Sequence, residues 1–229
     1  MKREIVLDTE TTGLDPFTGH RIVEIGCVEL IGGLRTGASF HTYLNPERDM
    51  PPEAFRVHGL SAEFLSGHPV FSQKVDEFLE FIADSTLVIH NAAFDMKFIN
   101  FELEKHGFSA ISMERSIDTV MMARKKFPGS PASLDALCKR FNIDLSGRTK
   151  HGALLDAELL AEVYLDLCGG RQSMLLLDTA SQQAVADNTI SVTRSCREAR
   201  VFPVIEQEEE AHKAMLARLK SPIWLEEAN

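Results

Sequence analysis

Four acidic side chains stand in apolar surroundings, where acids are costly: Asp8 and Glu10 in IVLDTE, Asp95 in AAFDMKF and Asp156 in GALLDAELLA. Residues two apart on a strand project to the same face, so the carboxylates of Asp8 and Glu10 can reach one point. Aspartate is almost never buried without a partner. Several carboxylates meeting in a partly dry site repel one another, and two divalent cations resolve that repulsion. Oxygen ligands suit Mg²⁺ or Mn²⁺. His151 stands five positions before Asp156. That spacing fits one helix face poorly, which places the histidine in the loop ahead of the helix, over the same cleft. A neutral imidazole with an ordinary pKa of about 6.5 could accept a proton there from an attacking water. Singly, each residue has a plainer explanation. A strand-end D-x-E is commonly a solvated turn, first-turn aspartates suit the helix dipole, and a histidine near a helix start is ordinary surface. Together, the four acids at element ends favour a metal site.

The elements that must bring these residues together follow from periodicity. Glu4–Thr9 reads as a short β-branched strand, followed by strands over Arg21–Leu30 and Ala38–Leu44 with a Gly32–Gly33 turn between them, an antiparallel hairpin. Glu53–Leu65 has helical character, and Phe71–Ala83 carries Val75, Phe78, Leu79 and Ile82 at helical spacing. Thr86–His90 is a strand, Asn91 a candidate N-cap, and Ala92–His106 a helix that stops at Gly107. A short strand at Ile117 leads to helices over Thr119–Lys126, from Ser133 to Phe141, and over Gly152–Leu167. Three strands followed by alternating helix and strand imply an α/β fold with a mixed sheet flanked by helices. After Gly170 the texture changes. Thr179–Asn188 is small and polar like a linker, Ile205–Leu219 reads as a helix with an acidic start and a basic end, and Trp224, the lone tryptophan, follows. The expected division is a domain over 1–170 and a linker with a helical tail over 171–229.

Composition narrows the classes. The formal net charge is −10 over 229 residues, which argues against a protein that grips nucleic acid mainly by electrostatics. It leaves room for an enzyme that holds a few nucleotides through metal ions, with a partner supplying further affinity. No run approaches the ~18 apolar residues of a membrane span. The start, MKREIVLDTETTG, lacks a signal-peptide core. Cys27, Cys138, Cys168 and Cys196 are scattered and form no CxxC pair, as in reduced thiols of a cytoplasmic protein.

These motifs, in this order, resemble the DnaQ-like exonucleases of the DEDDh group, and most of all the epsilon subunits of bacterial DNA polymerase III. The carriers are LDTETTG (7–13), IVEIGCVEL (22–30), EAFRVHGL (53–60), HNAAFDMKF (90–98), SLDALCKRF (133–141) and HGALLDAELLAEVY (151–164). The likeness covers about residues 3 to 170. It implies an RNase H-like, five-stranded mixed sheet and 3′→5′ hydrolysis of DNA to nucleoside 5′-monophosphates. It also implies two divalent ions, Mg²⁺ or Mn²⁺, held by Asp8, Glu10, Asp95 and Asp156, with Asp8 bridging both and His151 as the general base. Thr11, Leu14, His58, His90 and Phe94 match positions that line the nucleotide pocket; apolar and aromatic surface there would stack on any base. Core packing is an equal reading for Leu14 and Phe94, and local hydrogen bonding for the two histidines. Implied partners are a single-stranded or frayed DNA 3′ end, the polymerase III alpha subunit through the tail, a theta-like subunit and the sliding clamp, with no membrane. The clamp motif of the family opens on a glutamine just after the nuclease; here Arg171 holds that place and Gln172 follows one position late. Two alternatives stay open: an RNA-directed enzyme of the same superfamily, and a non-catalytic subunit that stabilises a polymerase by contact alone.

Overall fold

The computed structural model describes residues 2–146, 150–169 and 205–218. The chain divides into two units, Met1–Leu177 and Asp178–Asn229. In the first, the run expected as the opening strand is β1, Arg3–Thr11, the centre of a five-stranded sheet. β2 (Ile22–Ile31) pairs antiparallel with β1 on one side, and β3 (Leu34–Tyr43) pairs antiparallel with β2. β4 (Thr86–Ile89) runs parallel to β1 on the other side, and β5 (Ser116–Asp118) parallel to β4. The sheet is therefore mixed, as the element order implied. Gly32 and Gly33 both take positive φ, 60° and 79°, which a two-residue hairpin turn of matching twist requires. β3 begins at Leu34 rather than Ala38: the tight turn starts the ladder at once, although Arg35–Gly37 lack apolar alternation.

Both faces of the sheet are covered, so alternate residues of β1 enter different cores. Ile5 and Leu7 pack with helices α3 (Phe71–Ile82) and α4 (Ala92–Lys105), through Phe78, Met96 and Phe98. Val6 faces the opposite core with α5 (Thr119–Lys126), α6 (Leu134–Phe141) and α7 (Ala153–Leu167), through Ala123, Leu137 and Leu160. Asp8 and Glu10 continue the Val6 side, toward α7.

The stretch Glu53–Leu65, expected to have short helical character, holds two short helices, α1 (Pro52–His58) and α2 (Ala62–Ser66). Gly59, at φ 76°, ends α1 by donating its N–H to Phe55 O, and the Ser61 side chain caps α2 through Phe64 N. Asn91 is the N-cap residue of α4, as expected, but its side chain makes no capping hydrogen bond. It sits in the left-handed region at φ 67°, ψ 57°, which asparagine tolerates better than most residues. Its backbone N–H donates to Asp118 Oδ1. That turn swings the chain from β4 straight into α4. At the start of β2, buried Arg21 makes a two-pronged pair with buried Glu102 of α4, one contact at 2.9 Å.

The second unit contains α8 (Glu206–Leu216), whose first turn is acidic. The Thr179–Asn188 linker, the 170–176 segment, Leu219, Trp224 and Cys196 lie outside the described residues. Cys27 and Cys138 are buried free thiols and Cys168 is an exposed one. No helix among the described residues is long and apolar enough to cross a membrane.

Candidate active site

The four acids come from three elements that meet at the C-terminal end of the central strand β1. Asp8 and Glu10 lie at the C-terminal end of β1. The register with β2 shifts just after Glu10, a bulge that breaks the regular pairing at the end of β1. Asp95 lies in the first turn of α4, and Asp156 in the first turn of α7. Both are 3 % exposed, and Glu10 is nearly as buried.

Asp95 reaches back over the end of β1. Its Oδ1 accepts from the Thr9 backbone N–H at 3.1 Å and from the Thr9 hydroxyl at 2.6 Å. Those bonds favour the ionised form, but burial outweighs them and pushes the Asp95 carboxyl up to about 7. Asp8 sits amid the others. The protein packed around it, and then the charges of Asp95, Glu10 and Asp156, hold its carboxyl well above the usual range. His151 precedes α7, as its spacing required, and its Nδ1 lies 3.0 Å from Asp156 Oδ2. Ligand atoms of Glu10, His151 and Asp156 all lie within 4.8 Å of one another. An arrangement of this charge and donor type fits hard divalent cations.

The approach of α7 depends on a glycine. Gly26 of β2 is the cross-strand partner of Asp8. A Cβ on Gly26 would meet the Ala153 carbonyl carbon and the Leu154 nitrogen at 2.3 Å. The first turn of α7 thus lies directly on the bare backbone of Gly26, and this brings Asp156 down to Asp8.

Beside the acids opens a cavity of about 520 Å³, lined among others by Thr9, Glu10, Thr11, Leu14, Val57, His58 and Phe94. Four of the five residues matched to the nucleotide pocket therefore share one cavity, and Glu10 joins it to the carboxylates. Leu14 is 82 % exposed, so core packing does not account for it. His58 is buried; its Nδ1 accepts from Leu60 N at 3.0 Å, which puts the ring proton on Nε2, and burial lowers its pKa. His90 stands apart. It lines a neighbouring cavity of about 590 Å³ with Asp118 and Arg124, and its Nδ1 lies 2.9 Å from the Thr119 hydroxyl. The left-handed turn at Asn91 explains the separation: His90, just after β4, meets Thr119 of α5, while Phe94 is carried onward in α4.

Three residues around the site escaped the sequence reading. Thr9, the holder of Asp95, is hidden inside the very motif that marks the acids. Glu24, 3 % exposed, pairs with His41 Nε2 at 2.7 Å and stands across from Glu10, a further negative charge near Asp8. Its signal was a glutamate at an inward position of IVEIG. Gly26 carried the signal of a glycine inside a strand, where close backbone approach is a standard reason.

The Exonuclease family model matches residues 5–164. A DNA polymerase III subunit epsilon of Rickettsia conorii is 52 % identical over 223 residues, 95 % of this chain and 96 % of that protein. The subunit of the same name from Escherichia coli K12 is 46 % identical, covering 93 % and 92 %. Among solved structures, exonuclease X in complex with 5′ overhanging duplex DNA has a TM-score of 0.56 at 25 % identity, covering 72 % of this chain and 90 % of that one. Exonuclease I, at 16 % identity, has a TM-score of 0.65 over 76 % of this chain and 42 % of its own, a likeness of fold. With a family model that spans the whole sheet and relatives this similar along nearly their full length, the chain belongs to the exonuclease family and is a 3′→5′ exonuclease of the kind represented by the DNA polymerase III epsilon subunits.

Proposed function

We propose that the chain trims DNA from its 3′ end as the proofreading subunit of a replicative polymerase III, with Asp8, Glu10, Asp95 and Asp156 holding two Mg²⁺ or Mn²⁺ ions. The carrying observation is the crowding of acids around Asp8 at the mouth of an apolar cavity. Bound there, the ions would neutralise the acids, ease ionisation of the attacking water and offset charge on the leaving 3′ oxygen. His151 accepts the proton of that water. With Nδ1 donating to Asp156, its Nε2 lone pair is the one left to act as base. Thr9 holds the Asp95 carboxylate through two hydrogen bonds to its Oδ1. Leu14, Phe94 and Val57 offer surface on which any base can pack, so the slot reads no sequence.

Such a slot need not recognise a mismatch. A mispaired end unstacks at lower cost and reaches the site more often. The net charge of −10 fits weak affinity for DNA unaided, with the polymerase supplying the rest. The relatives' name supports association with polymerase III. Docking of the tail on its alpha subunit, contact with a theta-like subunit or the sliding clamp, and residence in the cytoplasm belong to the same proposal.

The direct test is hydrolysis of 3′-labelled DNA. Single strands should release nucleoside 5′-monophosphates with Mg²⁺ or Mn²⁺ and none in chelator, and mismatched duplex ends should be trimmed faster than matched ends. Equal rates on matched and mismatched ends, with single strands no faster, would refute the fraying account. Preference for RNA over DNA would favour the RNA-directed reading.

The acid cluster also sets a pH dependence of stability. Asp95 keeps its proton up to about pH 7 in the folded chain, against an ordinary value of 3.8, and Asp8 is shifted the same way. The folded chain thus binds more protons than the unfolded chain between these values. This stabilising contribution is complete below about pH 4 and is lost as pH rises toward 7. Divalent ions bind the ionised acids and reverse the loss. Scanning fluorimetry should find that Mn²⁺ raises the melting midpoint more at pH 7.5 than at pH 5; an equal or smaller rise at pH 7.5 would contradict the assignment.

A further inference from the structure

We infer that α1 is the strut that places His151 over the carboxylates, with Phe55 and Lys150 as positioning residues. This rests on His151 being the proton acceptor proposed above. His151 is about half exposed and lies in the short stretch before α7. A half-exposed side chain on a loop has many orientations open to it, whereas proton transfer needs one. Residues 150 and 151 rest on the C-terminal half of α1 at three points. The His151 backbone N–H donates to Val57 O at 3.3 Å. The Lys150 ammonium stands 5.1 Å from the centre of the Phe55 ring. The Lys150 chain crosses Gly59, where a Cβ would meet its Cδ at 2.6 Å and its Nζ at 2.8 Å.

The same helix walls the cavity. Ala54, Val57 and His58 line it from α1. Val57 does both jobs: its residue lines the cavity while its carbonyl holds the loop of the base. The element that meets the terminal nucleotide therefore also sets the imidazole, and the two are mechanically joined through one helical turn. His151 is held at both ends, by Asp156 at its ring and by α1 at its backbone.

The test is a mutant cycle on single-stranded DNA at saturating Mn²⁺, comparing wild type, Phe55→Ala, His151→Ala and the double variant. Phe55 is 41 % exposed, so its truncation should leave the melting midpoint nearly unchanged. Phe55→Ala is expected to lower kcat about tenfold with KM within about twofold. In the His151→Ala background it should cost nothing further, because the group it positions is gone. Phe55→Tyr, which keeps the ring, should restore kcat. An equal loss in both backgrounds, a loss confined to KM, or no loss would overturn the inference. Wild-type kcat in His151→Ala itself would instead remove the reading of His151 on which it stands.

Discussion

Replacing Asp8 and Glu10 together with alanine should abolish hydrolysis, a loss on the order of 10⁴-fold or more, while the fold remains at least as stable in chelator as the wild type. The two halves of this expectation have one cause. Asp8 is held above its ordinary pKa by its packing and by four neighbouring acids, so in the absence of ions its charge opposes folding. Removing it relieves repulsion and removes ion binding at once. A residue kept for structure would show the opposite pattern on substitution, a falling melting midpoint with activity in proportion. Steady-state hydrolysis of single-stranded DNA and melting in chelator read both halves. Residual activity above about a tenth of wild type, or a clear drop in the midpoint, would show that these acids are structural.

Gly26→Ala is the second large effect, and no acid is touched. The added methyl would stand 2.3 Å from backbone atoms of Ala153 and Leu154 and 2.5 Å from the Ala153 carbonyl oxygen. Backbone cannot rotate away as a side-chain tip can, so the start of α7 must lift from the sheet. Overpacking of this kind costs about 1–3 kcal/mol. Asp156 and His151 ride on the displaced segment, and a displacement of about 1 Å at a reacting centre can cost about 100-fold in rate. Gly152→Ala is the control. It adjoins the same helix start, has φ −155°, and its Cβ would meet nothing within 4 Å. The expectation is a loss of about two orders of magnitude for Gly26→Ala and little change for Gly152→Ala. Similar rates for the two variants would show that contact with Gly26 does not set the height of α7.

The elements and the acids were legible because their signals are local. IVLDTE shows its strand by β-branching, GALLDAELLA its helix by spacing, and the acids stand out against apolar neighbours. The place of His151 ahead of α7 followed from a five-residue spacing alone. What was not legible depends on contacts between distant parts of the chain. Nothing near Thr9 tells that it will hold a carboxylate 86 positions on. Gly26 is one glycine among others until a helix from the far end of the domain descends on it. Asn91 has the composition of a side-chain cap, and the left-handed turn won because β4 must pass into α4 within two residues. The same turn parts His90 from Phe94, although both stand in HNAAFDMKF. Gly59 divides the helical stretch Glu53–Leu65 into two short helices, and that break gives Lys150 its seat.

On the proposed reading, acids drawn from β1, α4 and α7 form one receptacle for two divalent cations. Titration of the intact chain with Mn²⁺, followed by the disappearance of the free-ion paramagnetic signal, measures it without any substrate. About two ions should bind per chain at pH 7.5, with excess Mg²⁺ competing for the same sites and the saturable uptake lost in the Asp8→Ala, Glu10→Ala variant. Uptake that is absent in the wild type, or unchanged in the variant, would contradict the account.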